Sequence, residues 1–482
     1  MAKNQVVGTG KHFIGYALFT GLVMCALLVP AGSAIGNERS HLAPPNPEFI
    51  RYMENMKNGL VQEYSLDGHP LGHIPSPVDL SHLKGVQLFT PTKAVPPVYD
   101  LRTTGKLTSV KDQANCGSCW AFAAYGSLES CLLPGESRDF SENALIHNHG
   151  FDLGPCSGGN TYMSTAYLAR WSGPINETDD PYPYMAFTDT AAAIQKHVQD
   201  VCFLPERENA LDNKNIKEAV MKYGAVVISF FMETKYFDEN HSSYYKPNGE
   251  DTNHEVCVVG WDDNYDLNNF WMKPPANGAF IVKNSWGSDW GKEGYFYMSY
   301  YSLPLWVGTV FNKSEAITNY SGVYQYDPLG WVDGWGDGKT ATYWGANIFT
   351  AVAGSKPLSA ISTYAGSAKT AYEIYIYTEV KPGQPRSGTL ALSQKGTFTL
   401  PGYHTLKLTK QIAVTSGKKF SVVVKYTTPK YFFPSPVEYP YPGYSSKAKS
   451  KAGESFESAD GLKWLDMIKG KCNICVKAFT SK

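Results

Sequence analysis

Cys116-Gly117-Ser118-Cys119-Trp120 is the stretch that decides how this chain folds and which chemistry it carries. Beyond it, apolar residues recur at helical spacing until Pro134 and Gly135 end the pattern, so Cys119 is predicted to lie in the first turn of a helix. The unpaired N–H groups and the positive end of the helix dipole at that point favour a thiolate. The pattern therefore predicts an activated cysteine nucleophile.

A base and a group to orient it follow along the chain. His254 directly precedes the apolar stretch 256–261, which is typical of a buried strand, so its imidazole is predicted to be fixed at a strand's start. Asn284 follows a second such stretch, 279–283. Its amide would accept a hydrogen bond from one ring nitrogen and orient the other at the sulfur, while Trp286 shields that bond from water.

Simpler interpretations exist for these residues. A lone buried cysteine is usually an inert apolar side chain, so the catalytic hypothesis depends on His254 and Asn284 accompanying Cys119. His147 and His149 are competing bases, but they lie in a polar stretch and are predicted to be surface residues.

Together these blocks resemble the papain family of cysteine peptidases, whose C-G-[SA]-C-[WY] signature residues 116–120 match. The resemblance extends, in the family's order, over residues 113–122, 155–159, 253–256 and 283–291. It implies an α+β fold with a helical left lobe and a β-barrel-like right lobe. It also implies hydrolysis of peptide bonds, with the substrate lying extended between the lobes.

The resemblance assigns catalytic roles one position at a time. Cys119 is the implied nucleophile, which forms a thioacyl-enzyme, and His254 is the general base and then the acid that protonates the leaving amine. Asn284 is implied to hold the imidazole. Gln113 is implied to join the backbone N–H of Cys119 in the oxyanion hole.

A substrate-binding set is implied in the same way. Gly158 and Gly159 would let an extended peptide approach closely and pair with the main chain like an added strand. Trp286 and Asn253 complete this set. Asn160 stands where relatives often have an aromatic residue at the main specificity pocket, which leaves the preferred side chain open.

The cysteines divide between one implied bridge and several undecided thiols. By resemblance Cys116 pairs with Cys156, which would join the nucleophile's turn to the substrate-binding glycines. A second pair, Cys131 with Cys202, is an open alternative. The closely spaced cysteines of 472–475 have no second Cys or His pair near them and are interpreted as structural rather than metal-binding.

Composition narrows the range of partners. With 43 Lys+Arg against 44 Asp+Glu the formal net charge is −1, which argues against nucleic acid or an anionic membrane surface as a main partner. The expected substrate is a peptide or a protein. The protein itself is expected to be a monomer. No metal and no organic cofactor is expected.

The 482 residues exceed a single domain core, and four segments are predicted. Residues 1–34 show an export pattern whose apolar run, 13–29, favours a cleaved signal over a membrane anchor, so the chain is expected to be secreted or on the cell surface. Residues 35–95 look too sparse for their own core and are interpreted as a cleft-blocking prosegment or, alternatively, an arm that stays attached. The peptidase domain is predicted at 96–305 and an all-β sandwich at 306–482.

The predicted sandwich rests on period-2 alternation, as in 372–378 and 419–425. Its arrangement resembles the lectin-like module that follows some prokaryotic secreted peptidases of the papain family. A cell-surface protein or a carbohydrate is therefore an open alternative as its ligand. Asp333 and Asp337 are interpreted as solvated loop residues rather than calcium ligands. Four aromatic residues are predicted to pack in the core or between domains rather than to contact sugar: Trp331, Trp335, Tyr343 and Trp344.

The residues therefore predict an exported cysteine endopeptidase made as a zymogen. A transglutaminase-like acyltransferase is the first alternative, and it is disfavoured because it would have an acid where Asn284 stands. The second alternative is a surface adhesin whose peptidase domain is catalytically inactive. The presence of Cys119, His254 and Gln113 disfavours it.

Overall fold

The first half of the peptidase region is helical and the second half is built of strands, which confirms the predicted α+β class. The computed structural model describes residues 41–90, 94–183 and 192–482, so the predicted export signal lies outside the described residues. No helix within these ranges is long and apolar enough to cross a membrane. The helices, in chain order, are Pro47–Lys57 (α1), Cys119–Leu132 (α2), Glu142–Asn148 (α3), Thr161–Ala169 (α4) and Lys214–Tyr223 (α5).

The strands of the peptidase region and those of the C-terminal region are numbered together along the chain. The strands up to Ala316 are Val98–Asp100 (β1), Lys196–Phe203 (β2), Val226–Phe230 (β3), Phe237–Asp238 (β4), Ser243–Tyr244 (β5), His254–Asp262 (β6), Ala279–Lys283 (β7), Tyr295–Ser299 (β8) and Leu305–Ala316 (β9). The remaining strands are Gly322–Tyr324 (β10), Asp333–Trp335 (β11), Thr342–Thr350 (β12), Leu358–Ala365 (β13), Thr370–Thr378 (β14), Thr389–Phe398 (β15), Gly402–Ile412 (β16), Lys419–Thr427 (β17), Ser435–Glu438 (β18), Ser455–Ser458 (β19), Leu465–Asp466 (β20), Asn473–Ile474 (β21) and Lys477–Thr480 (β22).

Helix α2 is the buried centre of the helical lobe. Its residues are apolar around nearly the whole circumference, and Trp120, Ala124 and Leu128 are fully buried, as expected of a helix packed on several sides. The helix ends where Pro134 follows, since proline cannot continue it. Helix α3 begins as predicted after Ser141, whose Oγ accepts a hydrogen bond from the N–H of Ala144.

The sheet of the β-rich lobe brings together the two segments predicted to carry the base and its orienting group. Strand β6 pairs antiparallel with β3 on one side and β7 on the other. In the second pairing Cys257 lies opposite Lys283, so the end of β7 meets the start of β6. His254 at the first position of β6 and Asn284 just after β7 are therefore neighbours.

The C-terminal region is a sandwich of two main sheets, with a small third sheet of β11, β18 and β21. One sheet contains β15, β14, β17, β12, β19 and β20, and the other contains β10, β22, β13 and β16. Buried aliphatic residues such as Ile361, Ile374 and Val422 form the core shared by them. The predicted burial of the four aromatic residues Trp331, Trp335, Tyr343 and Trp344 is confirmed.

The sequence predicts a separate C-terminal domain, whereas the structure has one continuous sheet running through both regions. Strand β16 of the sandwich pairs with β2 of the peptidase region, and β2 pairs in turn with β9. This long-range pairing has no local sequence signal, because a strand's partner is not encoded in its own alternation.

Two expectations about individual residues are corrected, and one open alternative is decided. His149 is buried rather than exposed, because its ring packs edge-on against Trp120, with centroids 5.8 Å apart, and its Nδ1 accepts from the N–H of Phe151 at 3.0 Å. Asp333 is buried rather than solvated, and Tyr441 Oη donates to it at 2.6 Å. The open alternative of a Cys131–Cys202 bridge is not realised, since both thiols are free.

Candidate active site

The nucleophile candidate lies at the junction of the two lobes. Cys119 is the first residue of α2 and is completely buried, and its Sγ accepts a hydrogen bond from the N–H of Glu255 at 3.4 Å. Since Glu255 follows His254, the sulfur lies against the start of β6. The turn that leads into the helix is tied down by a disulfide between Cys116 and Cys156.

The imidazole of His254 is clamped on two sides. Its Nε2 is 2.9 Å from Oδ1 of Asn284, and the indole of Trp286 stacks on the ring, with centroids 4.7 Å apart. Its Nδ1 is buried and has no hydrogen-bond partner among the described residues. One ring nitrogen is therefore occupied by the amide while the other is left for a reacting group.

Burial keeps both reactive groups neutral in this form of the protein. Burial raises the pKa of the Cys119 thiol well above its ordinary value, and the nearby carboxylate of Glu255 raises it further. Burial lowers the pKa of His254 to about 4, against the opposing effect of its hydrogen bond to Asn284. The helix dipole alone predicts a thiolate, but here loss of solvent outweighs it.

Gln113 is held beside the nucleophile's turn. Its Oε1 accepts from Ser285 Oγ at 2.7 Å, and its Nε2 donates to the backbone oxygens of Cys116 at 2.9 Å and Pro70 at 3.1 Å. The indole N–H of Trp286 donates to the same Pro70 oxygen at 3.2 Å. Two donors thus converge on a carbonyl oxygen that comes from the N-terminal part of the chain.

That N-terminal part, residues 41–90, is called the arm, and its middle portion runs through the cleft. The N–H of Ile74 donates to Gly159 O and the N–H of Gly159 donates to Gly72 O, each at 2.9 Å. The N–H groups of Gly72 and His73 both donate to Asn253 O at 3.0 Å. An extended segment of this chain therefore pairs with Gly159 in the way the glycine pair was expected to pair with a peptide.

The approach of the two backbones is close. A Cβ atom on Gly158 would lie 2.9 Å from Gly72 O, and one on Gly72 would lie 2.3 Å from Gly117 O. Glycine is needed on both sides of this contact because any side chain would push the arm out of the cleft.

Two histidines of the arm reach the catalytic residues. His69 stacks on the free face of Trp286, with centroids 4.5 Å apart, so the indole lies between His69 and His254. His73 places Nδ1 2.7 Å from Oε1 of Glu255. Both histidines also contribute to lowering the pKa of His254.

Asn160 has a different role from the aromatic residue that it replaces. Its Oδ1 caps α4, and its Nδ2 donates to Ile74 O and to Tyr444 Oη, both at 3.0 Å. Tyr444 belongs to the C-terminal sandwich and is buried against Phe49 of the arm. An aromatic ring from the sandwich therefore stands beside the position where an aromatic residue was expected.

Sequence reasoning brought together Cys119, His254, Asn284, Gln113 and Trp286, but it missed the side chains around them. Glu255 had a visible signal, since it is an acidic residue directly before the apolar run 256–261 of β6. His69, His73 and Tyr444 had none, because only the tertiary fold carries them to the cleft. Within the described ranges, no group of three His, Cys, Asp or Glu residues is placed to hold a metal ion.

This geometry defines a papain-like cysteine peptidase site, and comparisons with known proteins place the chain in the family. The model of the papain family of cysteine proteases matches residues 95–303, and that of the lectin-like domain matches residues 323–480. Cathepsin K of Mus musculus is 30% identical over 49% of this chain and 73% of its own length. The chain therefore belongs to the papain family of cysteine proteases and carries a C-terminal lectin-like domain.

Other relatives share part or nearly all of the architecture. A viral cathepsin of Heliothis zea nuclear polyhedrosis virus is 31% identical, and the match spans 42% of this chain and about half of that relative, 53%. The crystal structure of the cysteine protease and lectin-like domains of Cwp84, a surface layer associated protein of Clostridium difficile, is 26% identical. It superposes with a TM-score of 0.76 over 92% of this chain and 98% of that one. A structure of clostridial Cwp84 after propeptide cleavage superposes with a TM-score of 0.70 over 80% of this chain.

Proposed function

We propose that the protein is an exported cysteine endopeptidase made as a zymogen, in which the arm blocks the cleft until it is cut or displaced. The observation that carries this proposal is the imidazole of His254, which is held by Asn284 and Trp286 with Nδ1 unpaired among the described residues, next to Glu255, whose N–H contacts the Cys119 sulfur. Family membership supports the reaction type. The cleft-filling course of residues 70–74 supports the zymogen.

The proposed chemistry uses four side chains of this chain. Once the site is uncovered, the Cys119 thiol gives its proton to His254, and the thiolate attacks the scissile carbonyl. Gln113 Nε2 and the backbone N–H of Cys119 stabilise the oxygen that becomes negative, and His254 then protonates the leaving amine. Water, deprotonated by His254, cleaves the thioacyl bond. Asn284 keeps the imidazole oriented through both steps.

The arm would inhibit by occupying the groups that this reaction needs. The Pro70 carbonyl takes the hydrogen bond of Gln113 that would otherwise serve the oxyanion, and Gly159 is paired with the arm instead of a substrate. The arm also excludes the water that an ion pair of Cys119 and His254 requires. Cutting anywhere that frees residues 70–74 would therefore switch the site on.

Localisation outside the cytoplasm is part of the same proposal. The predicted signal at 1–34 and the Cys116–Cys156 disulfide both suit an oxidising, extracytoplasmic compartment. The structurally similar Cwp84 is a surface layer associated protein. We place the domain limits at 35–95 for the prosegment, 96–305 for the peptidase and 306–482 for the lectin-like domain.

The test is a peptidase assay on the full chain before and after limited proteolysis of the arm. Quenched fluorescent peptides are incubated with each form, and products are identified by mass spectrometry. The proposal predicts little cleavage by the intact chain and internal cleavage of peptides once the arm is cut. Absence of hydrolysis in the arm-cut, folded protein would contradict it.

A further inference from the structure

A cavity of ≈ 300 Å³ lies beside the active site, between the arm and the peptidase region. The peptidase region contributes six residues to its lining: Asn160, Thr161, Tyr162, Glu206, Ser229 and Glu255. The arm forms the remaining wall, which includes His73. This cavity is therefore a pocket of the cleft that the arm plugs.

Glu255 is a buried acidic residue in the lining of this pocket. Its side chain is only 3% exposed, and its Oε1 is paired with His73 Nδ1 at 2.7 Å. Its Oε2 is buried and has no hydrogen-bond partner among the described residues. A buried carboxylate with an open oxygen is costly unless a cation or a donor completes it. The pocket is thus incomplete on its own and is completed by a group that enters it.

The arm lines this pocket with charged groups of both signs, namely Arg51, His73 and Lys84 together with Glu48 and Asp79. The peptidase region contributes the two carboxylates Glu206 and Glu255, and no Lys, Arg or His. When the arm leaves, its charges of both signs leave with it, and Glu206 and Glu255 are the charged groups that remain from this lining.

The backbone register decides which residue of a peptide would enter. His73 lies opposite Gly159 in the pairing of the arm with the cleft, flanked by the hydrogen bonds of Gly72 and Ile74. A peptide that adds to Gly159 as a strand turns alternate side chains to opposite sides, so the residue opposite Gly159 is the one directed at Glu255.

We infer that Glu255, supported by Glu206, selects a Lys or Arg side chain in the substrate at the residue that pairs with Gly159, and that His73 of the arm occupies this place in the zymogen. The inference rests on the proposed peptidase function and adds its substrate class. A cationic side chain would complete the open oxygen of Glu255 and balance the charge of both acids, whereas an apolar one would leave Glu255 without a partner.

The experiment measures side-chain preference as a ratio within each protein. The full chain, with its arm cut by limited proteolysis, is given peptides that differ only by Arg, Lys or norleucine at each of the positions preceding the scissile bond. We expect the kcat/KM for Arg or Lys to exceed that for norleucine by at least ~10-fold at one position. Because each ratio is internal, a change in overall activity does not affect it.

Three isosteric variants sharpen the result. Glu255→Gln is expected to reduce the Arg-to-norleucine ratio by at least ~10-fold, and Glu206→Gln to reduce it by a smaller factor. Glu239→Gln removes an exposed carboxylate elsewhere and should leave the ratio unchanged. A ratio near one in the unaltered protein overturns the inference, as does a preference that survives Glu255→Gln or that Glu239→Gln also removes.

Failure of the inference differs from failure of the proposed function. If peptides are cleaved with no preference for a cationic side chain, the peptidase stands and the assignment of Glu255 is wrong. If no peptide is cleaved and an epoxide reagent does not label Cys119 in the arm-cut protein, the proposed function itself is wrong.

Discussion

The catalytic residues and the arm that covers them are held in place by different kinds of contact. Asn284 reaches His254 within one pair of adjacent strands, and Cys119 is fixed by the first turn of its own helix. The arm instead depends on contacts spread over the whole molecule. Phe49 packs on Tyr444 of the sandwich, with centroids 5.4 Å apart, and His82 Nε2 lies 3.0 Å from Gly366 O. The catalytic residues are thus positioned by local structure, whereas the arm that covers them is held by long-range contacts.

Replacing Cys119 with Ala tests the local side of this comparison and should have the largest effect. Removing the nucleophile is expected to lower kcat of the arm-cut protein by more than about 10³-fold, because no other group can form the thioacyl intermediate. The free energy of unfolding should change little. Cys131→Ala, which alters a partly exposed thiol, is the matched control and should retain activity. Equal turnover by Cys119→Ala would refute the assignment.

Replacing Asn284 with Ala removes the orienting amide while leaving both reactive groups. We expect kcat to fall by roughly 10²-fold, because the imidazole loses its hydrogen-bond partner at Nε2. Steady-state kinetics of the arm-cut protein measures the loss, and Asn264→Ala, on an exposed loop, serves as the control. Unchanged kcat would mean that Trp286 packing alone orients His254.

Replacing Gly72 with Ala tests the long-range side. The added Cβ would lie 2.3 Å from Gly117 O, and overpacking of this kind costs about 1–3 kcal/mol. The covered state should lose that amount, so labelling of Cys119 by an epoxide reagent in the intact chain should accelerate roughly 5- to 150-fold. Leu66→Ala changes an exposed arm residue and should have no effect. No acceleration would show that residues 70–74 do not limit access.

Replacing Tyr444 with Phe is the smallest change and tests the contribution of the sandwich. It removes the hydroxyl that accepts from Asn160 Nδ2 at 3.0 Å while leaving the ring in place. The free energy of unfolding should fall by about 1 kcal/mol, measured by denaturant titration in a Cys119→Ala background. Tyr64→Phe, at an exposed position of the arm, should be neutral.

The same division explains what the sequence could predict. Helix α2, the placement of His254 at a strand's start and the Ser141 cap follow from local patterns, because periodicity and capping act over a few residues. The contact of β2 with β16 between Asp200 and His404 and that of His73 with Glu255 join residues 204 and 182 positions apart, respectively. No local propensity encodes such contacts. The prediction that His149 is exposed failed for a related reason. Its sequence neighbours are polar, but in the fold its ring packs against Trp120.

Alkylation of Cys119 as a function of pH, before and after the arm is cut, tests the central claim most directly. In the covered protein, burial raises the thiol pKa and lowers the pKa of His254 to about 4, so both groups are neutral and alkylation should be slow until the solution is alkaline. Cutting the arm ends the burial, so the thiol pKa should fall and the imidazole pKa should rise. Rapid alkylation should then appear already at mildly acidic pH, confined to Cys119. The same slow alkaline profile in both forms would contradict a clamped pair kept neutral by the arm.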